Sequence, residues 1–500
     1  MKIPGRFAFV LAVSVPLTVA LSCHNNHAVD MASIRNESDP GKDHIAELTL
    51  IDGREIKFDG DSRPLLRNDT IRGEVHKISI AIPADSVQRV WLRTIDPVRT
   101  TLAVIGTVVG IAGVISAVAI ATKQSCPFIY SWDGSRYVFD AEPYGGAITR
   151  GLERDDYSEL SSLANDHGLY RLLVTNEVNE TQYTNRLQLL VIDHEAGVAV
   201  KANEFGHFYG FTTLRAPTAA HDVDGHDLLP WLAATDHAVW EPVVPPTRNH
   251  GARQEITLTF ARPGAATSAY LVARVSTGLW GSQMIRQFSQ LRGTALRDWY
   301  AAIDTNVAAA AALHQWNLRE ELYALKLFVE EPQGWVDRGV LPGGGPFLAT
   351  DRVVKLDLRR VQGDSLRIRI RPPYGFWALN SFAIAYDTAP GIRVREVEAR
   401  VARTNTGADI LPDLAASDER YYGMPSTADY ATITFPAPAL AAGKTRTVFV
   451  HARGFYRLHL DPVDAPDSVM LARFVKVPDA AATFAADRYT ATRPRSAAAH

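Results

Sequence analysis

Cysteine is nearly absent from this chain: Cys23 and Cys126 are the only two in 500 residues. That excludes a disulfide framework and a four-cysteine zinc site. Charge of either sign is not in excess, since 52 Lys+Arg stand against 55 Asp+Glu for a formal net charge of -3. A broad nucleic-acid surface needs a basic excess to displace phosphate counterions, so no nucleic-acid partner is expected. The usual catalytic signatures are missing too. No HExxH, CxxC or G-x-S-x-G occurs, and His194, His207, His237 and His314 lack zinc-ligand spacing. Gly443-Lys-Thr445 has Pro438 where a phosphate-binding loop needs glycine. Gly343-Gly-Gly345 sits between two prolines, with no following helix to build a dinucleotide site. What remains is ordinary globular composition, 46% hydrophobic and 21% charged, in a chain too long for one core.

The amino terminus reads as an address. Lys2 and Arg6 precede an apolar run from Phe7 to Leu21, which is short for a membrane span and ends at Ala20-Leu-Ser-Cys23. This resembles a bacterial lipoprotein signal, with residues 1–22 removed and Cys23 acylated. Ala20 and Leu21 reverse the usual order of large and small residues before the cysteine. Ordinary signal-peptidase cleavage is the alternative, and both readings export the chain to the bacterial cell envelope. Residues 23–43, rich in Asn, Asp and Ser, are expected to form a flexible tether. Residues 100–122 carry no charge, and as a helix would reach roughly 30–35 Å, enough to cross a bilayer core. The expected partners are therefore membrane lipid, through Cys23 and through residues 100–122, and an unknown protein or carbohydrate. A buried glycine-rich helix or hairpin is the other reading of 100–122.

Between and beyond these segments the pattern is short strands. Residues 44–98 alternate with period two and suggest a small SH3- or Sm-like β-barrel. Phe128-Ile-Tyr-Ser-Trp132, Asp133-Gly134 and Arg136-Tyr-Val-Phe139 predict a hairpin with a type I′ turn. Leu366-Arg-Ile-Arg-Ile370 alternates apolar and basic residues, which predicts one buried and one wet face.

An internal duplication organises the rest. Gly225-His-Asp-Leu-Leu-Pro-Trp-Leu-Ala-Ala-Thr-Asp236 and its next four residues match Gly407-Ala-Asp-Ile-Leu-Pro-Asp-Leu-Ala-Ala-Ser-Asp418 and its next four at eight of sixteen positions. Flanking runs agree: Leu190–Asp193 with Ile384–Asp387, Ile256–Phe260 with Ala431–Phe435, and Leu271–Trp280 with Val448–Tyr456. A long unit occurring twice means tandem domains rather than a solenoid. The fold expected is mainly β with an α insertion. Duplicated β-sandwiches would span 126–280 and 326–462, with a helical connector at 281–325 and a largely disordered tail at 463–500. Within the connector, Thr294 and Asn306 are placed as helix N-caps.

The run Ser125-Cys-Pro-Phe-Ile-Tyr-Ser-Trp-Asp-Gly134, with Tyr137-Val-Phe-Asp-Ala-Glu-Pro-Tyr-Gly-Gly146 and Leu152-Glu-Arg-Asp-Asp-Tyr157, resembles uncharacterised exported bacterial lipoproteins. Those proteins carry such a hairpin after a hydrophobic segment. The resemblance implies a location and a class, and brings no catalytic residues with it.

Three constellations are candidates for chemistry. Asp222, Asp224 and Asp227 are spaced like a calcium loop, although Asp222 and Asp224 become Thr404 and Thr406 in the second copy. That change favours a turn with a helix cap over a metal site, and calcium is the one cofactor considered. Tyr374, Phe376 and Trp377, with Gly278-Leu-Trp280 and Gly454-Phe-Tyr456, could line a groove or simply fill the core. Glu153, Asp155 and Asp156 could furnish the carboxylates of a glycan or peptide hydrolase. A non-enzymatic binding or scaffolding lipoprotein is the favoured function, with the exported hydrolase as the alternative.

Overall fold

The computed structural model describes residues 24–29, 43–50, 55–59, 62, 64–67, 70–75, 77–95 and 127–492, except 237, 238, 246, 247, 249 and 250. The expected signal segment 1–22, Cys23, the stretch 100–122 and Cys126 lie outside these residues. Among the described residues no helix is long and apolar enough to cross a membrane. The chain divides into two units, one ending at Val108 and the other beginning at Val109.

In the first unit, strands His24–Val29, Val87–Ile95, Asp43–Leu50 and Glu55–Lys57 lie side by side in one antiparallel sheet. Leu65–Arg67, Thr70–Val75 and Ile78–Pro83 form a second. Ile45, Leu48, Phe58, Ile71, Ile82 and Val90 share one core between them. The expected tether is corrected in part. His24–Val29 is a strand, paired with Val87–Ile95, because the exposed edge of that long strand offers its backbone a full ladder of partners.

The second unit is mainly β, with helices between and after the strands. One sheet runs, in spatial order, Val401–Thr404, Tyr430–Pro436, Leu169–Thr175, Phe128–Trp132 and Tyr137–Ala141. It shares a core with Glu180–His194 and Thr445–Leu458, the latter flanked by Arg154–Glu159, through residues such as Leu172, Leu189, Ile433 and Val450. A further five-stranded sheet runs Ala219–Asp222, Ile256–Ala261, Ser365–Ile370, Ala324–Glu331 and Gly334–Pro342. Its core partner is Thr350–Asp357, Ser268–Thr277 and Trp377–Ala385, joined through Leu258, Leu271, Leu327, Ile368 and Phe382.

These pairings cut across the contiguous boundaries 126–280 and 326–462. Leu169–Thr175 pairs with Tyr430–Pro436, and Glu180–His194 pairs along its whole length with Thr445–Leu458. Ile256–Ala261 pairs with Ser365–Ile370 instead. Each core thus combines an earlier and a later part of the chain.

Local expectations fare unevenly. Leu366, Ile368 and Ile370 are buried, while Arg367 and Arg369 pair with Glu330 and Glu255 on the wet face. The 128–141 hairpin forms, but only Gly134 of its turn has a positive φ, at 102°, whereas a type I′ turn needs two such residues. The Asp133 carboxylate closes the turn instead by accepting from the Ser135 and Arg136 backbone N–H groups.

The tail is also corrected. Ser468–Lys476 and Ala480–Thr492 are helices, and the second buries Ala481, Ala485 and Ala486 against the core of the 219–386 region. Alanine combines high helix propensity with a side chain short enough for close approach, so a composition that suggests disorder packs well. Trp280 donates its indole N–H to the Ala485 carbonyl (3.2 Å) and meets Tyr489 edge-on at 5.4 Å.

Candidate binding cleft

The connector is helical where expected: Leu279–Gln290, Leu296–Thr305 and Val307–Glu320. Asn306 caps the third helix, its side chain accepting from the Ala308 N–H at 2.9 Å. Thr294 is no cap; it lies inside a short 3-10 turn, Gly293–Ala295. Of these helices the first two are amphipathic, burying Trp280, Met284 and Ile285, and Leu296, Tyr300 and Ile303. Beneath them lies a cleft of about 1010 Å³.

Its walls are aromatic and aliphatic. Ile285 and Phe288 come from the first connector helix, Trp299 from the second, Leu313 and Trp316 from the third, and Phe474 from the helix Ser468–Lys476. The wall is tied together at its carboxyl-terminal side. Trp316 donates its indole N–H to the Phe474 carbonyl (2.9 Å), and Arg319 donates to the Phe474 and Val475 carbonyls. Phe288 meets Trp316 and Phe474 edge-on at 6.2 and 5.5 Å. Tyr323, whose hydroxyl donates to the Gly281 carbonyl, has its ionisation pushed well up by burial.

Two glycine-rich loops, 143–148 and 343–346, contribute the floor, and their backbones touch. A Cβ on Gly145 would lie 2.8 Å from the Gly344 carbonyl carbon, and one on Gly345 would lie 2.1 Å from the Glu142 carboxyl carbon. Only glycine permits that approach. Thr277 locks one loop by donating to the Gly344 carbonyl (2.7 Å), and the Phe347 N–H donates to Glu142 across the junction (2.9 Å).

Three guanidinium groups line the cleft, Arg154, Arg292 and Arg319, together with the His314 imidazole. Arg154 donates to the Gly145 carbonyl, and Arg319 also pairs with Glu320. Glu204, the one carboxylate among the described lining residues, faces Arg154, Arg352 and His314. Arg292 differs. Its guanidinium lies 3.6 Å from the Trp299 ring centroid, and its Nε is buried without a hydrogen-bond partner. Burial draws its pKa down to about 10, which leaves it protonated at neutral pH.

Most residues singled out from sequence lie elsewhere. Tyr374, Phe376 and Trp377 are buried in the core of the 219–386 region, with the Trp377 N–H donated to the Leu322 carbonyl at 3.0 Å. They therefore present no face to a ligand, because the chain around them needs their area for its core. Of the related aromatics, Tyr456 does line the cleft.

The acidic loop is likewise occupied by its own backbone. Asp222 and Asp224 come together with His226, not with Asp227. Asp222 accepts from the Asp224 and His226 backbone N–H groups and from the His226 ring and Gln254. The Asp227 carboxylate caps the Leu229 N–H at 2.9 Å, as Asp409 caps Leu411 at 3.1 Å. Thr404 replaces Asp222 in the second loop and accepts from the Ala408 N–H in the same way.

The three carboxylates considered for hydrolysis are held by cations near the strand Arg154–Glu159. Glu153 pairs with Arg453, and Asp156 lies 3.5 Å from Arg352. Asp155 pairs with both Arg453 and His451, and the His451 hydrogen bond holds its carboxyl below the usual range. Arg292 and Trp299 escaped sequence reasoning, since an arginine at the end of an amphipathic helix reads as a solvated face.

No family model and no curated protein matches this chain. Among solved structures it is similar to a GH31 alpha-xylosidase from Xanthomonas citri, at 10% identity over 81% of this chain and 34% of that one, with a TM-score of 0.15. It is also similar to a glycoside hydrolase family 43 arabinoxylan arabinofuranohydrolase from Bacillus subtilis, at 9% identity over 67% and 56%, with a TM-score of 0.14. The chain therefore spans less than two thirds of either protein, and TM-scores this low carry no argument about activity.

Proposed function

We propose that this chain is a non-enzymatic, ligand-binding lipoprotein of the bacterial cell envelope, anchored by an acylated Cys23. The observation that carries the binding reading is the cleft of about 1010 Å³, walled by aromatic and aliphatic side chains with a few polar groups. The hydrolase alternative is weakened because Glu153, Asp155 and Asp156 are each engaged by a cation.

The architecture behind the cleft is read as two duplicated β-sandwiches that exchange halves. Supporting this, Val401–Thr404, Tyr430–Pro436, Leu169–Thr175, Phe128–Trp132 and Tyr137–Ala141 recur, strand for strand, in the order of the Ala219–Asp222 to Gly334–Pro342 sheet. In each sheet the first two strands come from the opposite sequence copy to the other three. The exchange makes the loops 143–148 and 343–346 equivalent, and equivalent loops meeting back to back would form the cleft floor. The first unit keeps its SH3- or Sm-like reading, supported by seven described strands in two sheets around one core.

Titration of the full chain with N-phenyl-1-naphthylamine, a neutral apolar fluorophore, tests the binding reading. Saturable fluorescence enhancement near one equivalent is expected. Ala309→Trp, which fills the cleft from the third connector helix, should weaken it about tenfold. Unsaturable binding, or binding that Ala309→Trp leaves intact, would overturn it.

A further inference from the structure

Among the described residues, Arg292 is a cation with no carboxylate paired to it. Arg154 and Arg319 bond to backbone carbonyls, and the Glu204 carboxylate lines the same cleft as His314. The Arg292 side chain has Trp299 against one face, its buried Nε has no hydrogen-bond partner, and no ion pair to it is found among the described residues. A guanidinium stays charged at any physiological pH, and removing it from water without a partner is costly. Stacking on an indole recovers part of that cost and holds the guanidinium plane in place. The in-plane N–H donors of such a group match the two oxygens of a carboxylate. The surrounding wall offers hydrocarbon from Ile285, Phe288, Leu313 and Phe474.

From this juxtaposition we propose that the cleft binds an amphipathic monocarboxylate of fatty-acid type, its headgroup on Arg292 and its chain along the apolar wall. The proposal rests on the cleft being a binding site and adds the chemical class of what it binds.

Isothermal titration of the delipidated full chain with dodecanoate, dodecanol and dodecyl phosphate separates the possibilities. Dodecanoate is expected to bind near one equivalent and more tightly than dodecanol. Arg292→Gln should weaken dodecanoate at least about tenfold, while changing dodecanol less than about twofold. Dodecanol binding also reports that the variant is folded. Arg292→Lys, which keeps the charge but not the fork, should fall between wild type and Arg292→Gln. Equal loss of both ligands in Arg292→Gln, or no loss of dodecanoate, would overturn the headgroup assignment and leave the cleft reading standing. Tighter binding of dodecyl phosphate than of dodecanoate would overturn the carboxylate class. If neither dodecanoate nor dodecanol binds the wild-type chain, the binding reading itself fails.

Discussion

At the scale of single residues, burial separates packing from recognition. Trp377 is fully buried with its indole N–H satisfied, so it serves the core. Trp377→Ala should cost about 3–5 kcal/mol in urea denaturation, with the folded fraction still binding N-phenyl-1-naphthylamine. Gly345 faces the Glu142 carboxyl, and a methyl there overpacks the loop junction. Gly345→Ala is expected to destabilise by about 1–3 kcal/mol and to lower the thermal midpoint. Asp155 makes a pH prediction. His451 and Arg453 depress its folded pKa, so its contribution is present above the unfolded value of about 3.9 and is lost as pH falls through the lower folded value. The carboxylate is partly exposed, which limits that contribution to about 1 kcal/mol. Asp155→Asn should lose that amount at pH 7, and the difference from wild type should shrink below about pH 4 in acid-titrated denaturation curves.

At the scale of elements, the helix Ala480–Thr492 behaves as core despite its composition. Five of its alanines are buried, which at about 0.8 kcal/mol per methyl-sized group amounts to roughly 4 kcal/mol. Deleting residues 480–500 should remove that stabilisation, uncover Trp280 and lower the thermal midpoint measured by circular dichroism. If the midpoint is unchanged, the helix is dispensable and the packing account is wrong. The strand His24–Val29 teaches the complementary lesson. A polar sequence follows Cys23, yet an unsatisfied sheet edge can recruit almost any backbone.

At the scale of the whole molecule, the proposed exchange of halves has a consequence for fragments. Residues 126–280 expressed alone lack the partners Tyr430–Pro436 and Thr445–Leu458, and should not fold cooperatively. A chain joining 127–194 directly to 395–458 through a short linker restores those pairings and should give a cooperative thermal transition. The opposite pair of results, read by circular dichroism, would reject the exchange. Anchoring belongs to this scale too. If Cys23 is acylated as proposed, its acyl chains bury many methylenes at about 0.8 kcal/mol each, and Cys23→Ser should move the protein to a soluble exported fraction. Full retention through carbonate extraction would instead assign the anchor to residues 100–122.

Period-two alternation and turn residues made the strands legible, the likeness around Asp227 and Asp409 marked two similar caps, and Asn306 announced its helix start. Those are local signals, written in neighbouring residues. Tertiary structure alone decided which strands pair, that Tyr374, Phe376 and Trp377 go inward, and that Arg292 comes to rest on Trp299 over an apolar cleft. Each of these depends on residues far apart in the chain, and alternative arrangements satisfy the same local pattern of apolar and polar positions. Only the three-dimensional packing distinguishes a side chain that fills a core from one that lines a cleft.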